Sequence, residues 1–478
     1  IWHYLSYGVL IGVLGSVLGL CLGLWLQNAM VGLYQQYFQL PLLAFHLHLL
    51  PIFVGMGISV IAAVLGALMS TLYAVRLSPV KAMHPDAATG KSHRQAWQAA
   101  VWLRCPFYFK MALRAIVRDG WRSVVGVLTV VLGLTLVYMA FTMERSMLNM
   151  VDLSIDNLTH YDVAITLREP TGAHALDTLV NLPAVKAIET QLVLPLTIRS
   201  GVYHKEIMVE GLPKNNRLYT PIDQSSYPLH IPTHGLVLSH ALAAILHVKV
   251  GEKVEIQPLL GHRKPLSVPV VGLVETYLGL PAYANQLWLS HIVDSDGAFN
   301  KILLKLDHQH NISVLKRAMQ VLQNVTSIQY AGSIKADIIK TLEQFMGGFI
   351  AIIIFFAATI AVSSLYNNAM VSLNERERDV ATFSVLGLHQ WEILRIFCLE
   401  GAILLLLGLI VGLPLAYYFS KWMLLSFQTE FFRFPVQVYV SGLLKAAAMM
   451  LLFFVLSYTV VWRYICKVSW LGLFNTRE

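Results

Sequence analysis

The residues of this 478-residue chain whose types could do chemistry are few, and only one group is dense. Glu375, Arg376, Glu377, Arg378 and Asp379 stand in succession, followed by Val380, Ala381, Thr382, Phe383, Val385 and Leu386, with a break at Gly387. A short helix carrying alternating Glu and Arg beside an apolar side suits paired contacts with a polar partner. Bond-making groups are harder to find. Gly90-Lys91-Ser92 ends like a phosphate-binding loop, but that pattern needs a glycine where Pro85 stands and a strand before it. It reads as a chance match in a polar linker, and no other nucleotide loop is present. His160, His204, His234, His240, His247 and His262 share no ligand spacing, and His46 and His48 suit a strand better than a helical metal face. The four cysteines, Cys21, Cys105, Cys398 and Cys466, form no CxxC and give no metal or redox motif. No GxSxG nucleophile signature occurs. Intramembrane ionisable residues would mark an intramembrane enzyme, and only Glu400 and Lys445 fall in apolar runs, both near the ends.

The elements that hold the charged group are set by composition. The chain is 56% hydrophobic and 13% charged, where a soluble domain is about a quarter charged, and its mean hydropathy is +0.61. Six stretches meet or approach the ~20 apolar residues that span hydrocarbon: Tyr7–Leu26, Ile52–Val75, Ser123–Thr142, Phe345–Leu365, Gly401–Phe419 and Tyr439–Trp462. Between Arg76 and Arg122 stand Arg76, Lys81, Lys91, Arg94, Arg104, Lys110, Arg114, Arg118 and Arg122, whereas the loop from Gln27 to Leu50 has no Lys or Arg. Positive charge marks cytoplasmic loops. Six alternating spans then put the Arg76–Arg122 linker, Asn374–Gly401 and the tail after Trp462 in the cytoplasm. The formal net charge of +8 is therefore a topology signal and no argument for nucleic acid.

Lys110, Arg114, Arg118 and Arg122 recur every four residues opposite Phe109, Leu113 and Ile116, which predicts a basic amphipathic helix on the membrane surface, facing anionic lipid head groups. Gly8, Gly12, Gly15, Gly19 and Gly23 predict a smooth helix face that lets another helix approach closely. Shifted by 393 positions, Gly8, Gly15 and Gly19 fall on Gly401, Gly408 and Gly412, and Tyr37–Pro41 then corresponds to Phe431–Pro435. The first two spans thus repeat the last two. A counterpart of Asn374–Ile393 is expected before Ile1, giving a whole protein of about eight spans and two exported domains. Met143–Thr341, roughly 200 residues, is the one non-membrane block of domain length. Its β-rich runs (Tyr161–Leu167, Ile207–Glu210, Val254–Gln257, Val268–Val274, Lys301–Leu306) and helical runs (His240–Leu246, Ile312–Gln323) predict a mixed α and β domain without disulfides.

The segment Glu375, Arg376, Arg378, Asp379, Val380, Ala381, Thr382, Leu386 and Gly387 resembles the cytoplasmic signature of FtsX-like ABC permeases. Leu399-Glu400-Gly401, Met111–Arg114, Ser78–Met83 and Leu236–Val254 fit the same family in the same order. Asp379 stands where Glu is commoner, and Lys467–Phe474 lacks the Pro-Val-x-Ala-Met pattern of the first half. The resemblance implies a coupling helix over 374–387, formed by Glu375, Arg376, Glu377, Arg378, Asp379, Val380, Ala381, Thr382, Phe383, Leu386 and Gly387, with Val380, Phe383 and Leu386 as its apolar side. It would seat in a groove of a separate ABC ATPase subunit, present as a dimer. ATP acts there and no cofactor is bound directly by this chain.

The expected fold is thus an α-helical polytopic membrane protein with six transmembrane helices and one α+β extracytoplasmic domain. The divisions are 1–76 (last two helices of a first FtsX-like repeat), 77–122 (cytoplasmic linker with the basic helix), 123–142 (a transmembrane helix), 143–341 (the extracytoplasmic domain) and 342–478 (a second repeat with three transmembrane helices). Helix packing is assigned to Gly8, Gly12, Gly15, Gly19, Gly23, Gly408 and Gly412. The expected activity is not enzymatic. It is export or mechanical extraction of a lipid, lipoprotein or peptide from the bacterial inner membrane, with membrane lipids and an extracytoplasmic carrier or enzyme as further partners. The rival reading is an ATP-driven transmitter that regulates an extracytoplasmic partner such as a cell-wall hydrolase.

Overall fold

A computed structural model describes residues 2–38, 49–76, 106–118, 120–172, 176–180, 184–222, 229, 231–259, 265–293, 295, 297–307, 324–430, 432–435, 437 and 439–467. The Gly90-Lys91-Ser92 loop, Ser78–Met83, His46, His48 and Ile312–Gln323 lie outside the described residues, as do parts of Tyr37–Pro41, Phe431–Pro435 and Lys467–Phe474. Among the described residues six helices are long and apolar enough to cross a membrane. The chain divides into two units, residues 1–106 and 107–478.

The first unit contains helices α1 (Trp2–Phe38) and α2 (Leu49–Arg76). They meet where α1 carries glycine. A Cβ on Gly8 would lie 2.7 Å from the Ala67 methyl, and one on Gly12 would lie 3.0 Å from that of Ala63. Lipid tails are as apolar as the side chains, so helices associate here by close backbone approach, which small residues permit. Gly15, Gly19 and Gly23 differ from the expectation: no described residue lies within 4 Å of a Cβ built on any of them. Among these glycines the close approaches to α2 are at Gly8 and Gly12.

The second unit begins with α3 (Phe107–Arg118) and α4 (Gly120–Ile155). The basic helix therefore stops at Arg118, and Arg122 belongs to the next helix, where it faces other membrane helices. Ala112 and Ala115 of α3 are buried, while Arg114 and Arg118 are exposed. From α4 the chain enters an α/β region: β1 (Val163–Thr171), α5 (Asp177–Val180), β2 (Val185–Ser200), β3 (Tyr203–Leu212), β4 (Leu236–Ser239), α6 (His240–Leu246), β5 (Lys253–Pro258), β6 (Leu266–Val274), β7 (Ala282–Asn285), α7 (Gln286–Ile292), β8 (Phe299–Leu306) and β9 (Val325–Tyr330). It then returns to the membrane through α8 (Ala331–Glu375), α9 (Glu377–Val385), α10 (Gln390–Ser426) and α11 (Val440–Lys467).

The strand β2 organises the α/β region because it is long enough to serve two sheets. Its first half pairs antiparallel with β8, which continues to β1 and β9. Its second half pairs with both β3 and β5, and the order β3-β7-β4-β6-β5-β2 closes back through the β2–β3 pairing. The closure encloses a core of Leu194, Leu196, Ile198, Val209, Leu238 and Ile256. Alternation in β5, where Val254 and Ile256 are buried and Lys253 and Glu255 exposed, supplies one wall by the two-residue period of a strand. The helix α6 is packed on this core by Leu242 and Leu246. Ser239 caps it, accepting from the Leu242 N–H at 3.3 Å, which is worth about 1 kcal/mol.

Beyond the sheet the helices α4, α8, α10 and α11 share a core of Val130, Leu134, Tyr138, Ala357, Ala361, Leu405, Ala416, Ala446 and Met450. Alanine and glycine again permit the closest approaches. A Cβ on Gly408 would lie 2.4 Å from Val130 Cγ1, and one on Gly412 would lie 2.9 Å from Leu134 Cδ2. The partner of Gly408 and Gly412 is α4, whereas Gly401 faces Tyr458 of α11. Gly408→Leu is expected to force α10 away from α4 and lower the recovered yield of folded protein severalfold, since overpacking costs about 1–3 kcal/mol or more. Size-exclusion yield in detergent measures it, and wild-type yield would show that this contact is incidental.

Candidate coupling site

The dense charged group occupies the end of the helical bundle opposite the α/β region. The helix α8 runs 45 residues without interruption, about 68 Å at 1.5 Å per residue, from its N-cap at Tyr330 to Glu375. Arg376 then leaves helical geometry, and α9 follows over Glu377–Val385. The far end of α9 is closed by Gly387 at φ 89°, with the Leu388 N–H donating to the Phe383 carbonyl at 3.0 Å and the Gly387 N–H to that of Ser384 at 3.2 Å. This double bond needs a residue in the left-handed region, which glycine adopts without Cβ cost. Two residues later α10 opens with a reciprocal cap between His389 and Glu392. The short helix is thus hung between two long ones by tight joints, with no slack segment.

One side of α9 is buried. Val380 and Ala381 are almost fully covered, and Val380 and Phe383 join Leu373, Ile393, Phe397, Val461 and Ile465 in one cluster. The face left outward carries Glu377, Asp379 and Thr382, then Val385 and Leu386, which are 62% and 71% exposed. Leu386 therefore does not share the packed side with Val380 and Phe383 as expected. It sits past the end of α9 as its C-cap, where the helical spacing that would return it to the inner side no longer applies. Arg378 lies on α9, and its side chain lies outside the described residues. The indole of Trp391, just past the joint, stacks on Trp462 of α11 at 4.1 Å.

Two members of the charged run are held by other membrane helices instead, Arg376 buried and Glu375 at the surface. Arg376 is 7% exposed, and its guanidinium lies 3.3 Å from the Glu400 carboxylate of α10. Ser372 Oγ donates to the same carboxylate, at 3.2 Å to either oxygen. Glu375 is held by Arg122 at 2.6 Å, and that guanidinium also donates to the Asn368 side chain at 2.9 Å and to the Asn368 carbonyl at 2.6 Å. The joint between α8 and α9 is therefore keyed by charge to α4 on one side and to α10 on the other. Arg122, Asn368, Ser372 and Glu400 were not assigned to this site by sequence. Glu400 and Arg122 carried a usable signal, since ionisable groups beside hydrocarbon need partners. Asn368 and Ser372 carried none. At the base of α3, the Tyr108 hydroxyl donates to Glu392 at 3.3 Å, so the N-terminus of α10 is braced from a third direction.

This architecture is that of a multi-pass helical membrane protein with an α/β domain at one end of its bundle and a short charged helix jointed into the other. Residues 351–469, which run from within α8 through α9, α10 and α11, match the family model described as FtsX-like permease C-terminal. Two solved structures overlap the α/β region. One is the periplasmic region of MacB from Actinobacillus actinomycetemcomitans, at 15% identity and TM-score 0.26, covering 39% of this chain and 97% of that one. The other is the extracellular domain of YknZ, a noncanonic ABC-type transporter from Gram-positive bacteria, at 13% identity and TM-score 0.25, covering 35% of this chain and 98% of that one. No curated protein matches the chain.

Proposed function

We propose that the chain is the permease of an ABC transporter in the bacterial inner membrane, and that α9 is its coupling helix. The outward side of α9 (Glu377, Asp379, Thr382, Val385, Leu386) seats in a groove of a separate ATPase subunit. ATP bound and hydrolysed there moves α9, and the joints at Arg376 and Gly387 pass the movement to α8 and α10. The single observation that carries this reading is the build of α9. Its inner side is locked into the bundle by Val380 and Phe383 and by the neighbouring Arg376–Glu400 pair, while its outer side keeps two exposed apolar residues beside acidic ones. A loop needing only solvation has no use for either feature.

At its other end α8 continues directly from β9, so displacement of α8 reaches the α/β domain along one unbroken rod. Lys335 near the start of α8 is paired with Asp152 of α4 at 3.0 Å and with Asp156, just past the end of α4, at 2.5 Å, so the two stalks move together. The activity that follows is ATP-driven extraction or export of a hydrophobic substrate outside the membrane, with no catalysis by this chain. The test is co-expression of the tagged chain with an ABC ATPase subunit drawn from its own genome. Capture of that ATPase, with ATP hydrolysis stimulated in lipid vesicles, is expected. A chain that folds and inserts but captures no ATPase would overturn the reading.

A further inference from the structure

A cavity of about 650 Å³ opens where the α/β domain meets the outer ends of the membrane helices. Its walls are β3, the outer end of α4 and the segment from Glu275 to Pro281 between β6 and β7. The volume falls within the ~300–1,000 Å³ of small-molecule sites. The stretch between α10 and α11 borders it: Arg433 pairs with Glu275 at 3.5 Å, its N–H donates to the Tyr277 carbonyl at 2.9 Å, and Glu430 holds Lys205 at 2.7 Å.

The lining is apolar, aromatic and acidic. Strand alternation sends Glu206, Met208 and Glu210 of β3 to the same side, because Val209 between them is in the domain core. Leu280 and Ile222 add apolar surface, and Tyr219 and Tyr283 line the wall, the Tyr219 ring already carrying Lys301 at 5.6 Å from its centroid. Lys205, the cation in the wall among the described residues, is already occupied by Glu430. Three polar atoms are buried in the wall without a hydrogen-bond partner among the described residues: Ser154 Oγ, Glu210 Oε2, and Oγ1 of Thr276, a residue 9% exposed. A buried acceptor left unmade is costly, so Glu210 Oε2 asks for a donor from whatever enters, beside the Tyr219 hydroxyl that already hydrogen-bonds this carboxylate. Burial pushes the phenols of Tyr219 and Tyr283 above their ordinary range, with Glu210 adding to it, so both rings stay neutral. Neutral rings and the carboxylates of Glu206 and Glu210 make a wall that favours a cation over an anion.

We infer that this cavity binds an amphiphile with an apolar body and a protonated amine, the amine donating to Glu210 and the body lying against Met208, Ile222 and Leu280. The inference deepens the permease reading by giving the chemical class of the cargo, and only the word cargo rests on that reading.

The test uses the full chain in phosphatidylcholine nanodiscs, without ATPase, with binding to empty nanodiscs subtracted. The probes share one skeleton: 4-phenylbutylamine, 4-phenylbutanol and 4-phenylbutanoate. The amine is expected to bind at least about tenfold more tightly than the alcohol, the size of one charge-assisted hydrogen bond, and the carboxylate least of all. Glu210→Gln should lower amine affinity about tenfold and leave the alcohol within about twofold. Met208→Trp, which fills the cavity from an exposed position, should abolish binding of both without changing elution of the folded chain. Equal binding of amine and alcohol, no saturable binding, or an amine preference that survives Glu210→Gln would each overturn the inference. ATPase capture, measured separately, is expected to be unaffected by Glu210→Gln, because α9 lies at the opposite end of the bundle. Loss of capture by the wild type would instead sink the permease reading while the binding result stood.

Discussion

Val385→Asp combined with Leu386→Asp is expected to abolish capture of the ATPase while leaving insertion and yield of the chain unchanged. Both residues are apolar, more than half exposed, and outside the clusters that pack the bundle. Changing them therefore costs the isolated chain almost nothing. In a complex the same positions would be desolvated. Truncating a central apolar contact costs about 2 kcal/mol or more, and burying carboxylates in its place adds to that. The apparent affinity should fall at least about thirtyfold, enough to empty a pull-down. Val380→Asp serves as the contrast, because Val380 is 1% exposed and an aspartate there should lower yield itself. Undiminished capture by the double variant would show that α9 does not dock through this end.

Glu400→Ala is the second change expected to have a large effect, for a different reason. It removes the carboxylate facing Arg376, and both side chains are at most 10% exposed. Breaking a buried pair from one side costs about 3–5 kcal/mol, because a charge is left without its counter-charge, whereas replacing both partners by apolar groups is often neutral. Thermal unfolding in detergent should therefore fall steeply for Glu400→Ala and recover in Arg376→Met with Glu400→Leu. A Glu400→Ala protein as heat-stable as the wild type would show that the pair does not hold the joint. A double variant that recovers stability but no longer transmits ATP-driven movement would assign the pair to the motion itself.

What could be read from the chain follows from which forces are local. Six helices able to span hydrocarbon were legible because hydropathy summed over ~20 residues needs no knowledge of neighbours. The α and β mixture of the exported block was legible for the same reason. Alternation in Lys253–Pro258 and the Ser239 cap before His240 are written in adjacent residues. The region 351–469 carries its family pattern in side-chain types at fixed spacing, so it too could be recognised without coordinates.

The division of labour within the charged run could not be read that way. Five consecutive charges look equivalent in sequence. Only the packing of α4, α10 and α11 around the joint buries Arg376 against Glu400, ties the exposed Glu375 to Arg122, and leaves Glu377 and Asp379 outward. Leu386 passes from an expected packed residue to an exposed one because α9 ends at Val385, and a helix end is set by cap geometry, not by periodicity. Arg122 continued a four-residue period in sequence, yet a break after Arg118 gives it to α4 and to contacts with Asn368 and Glu375. Glycine spacing showed which helices could approach closely. It could not show that Gly15, Gly19 and Gly23 meet no described residue while Gly408 and Gly412 meet α4. The sequence by itself determined a polytopic membrane chain with an α/β domain and a charged joint, because hydropathy, alternation and capping act between near neighbours. The tertiary structure alone decided which charges are keyed inward, which side chains are left for a partner, and where the acidic cavity lies. Each of those depends on residues distant in sequence being packed together, as Arg122 is with Glu375 and Ser372 with Glu400.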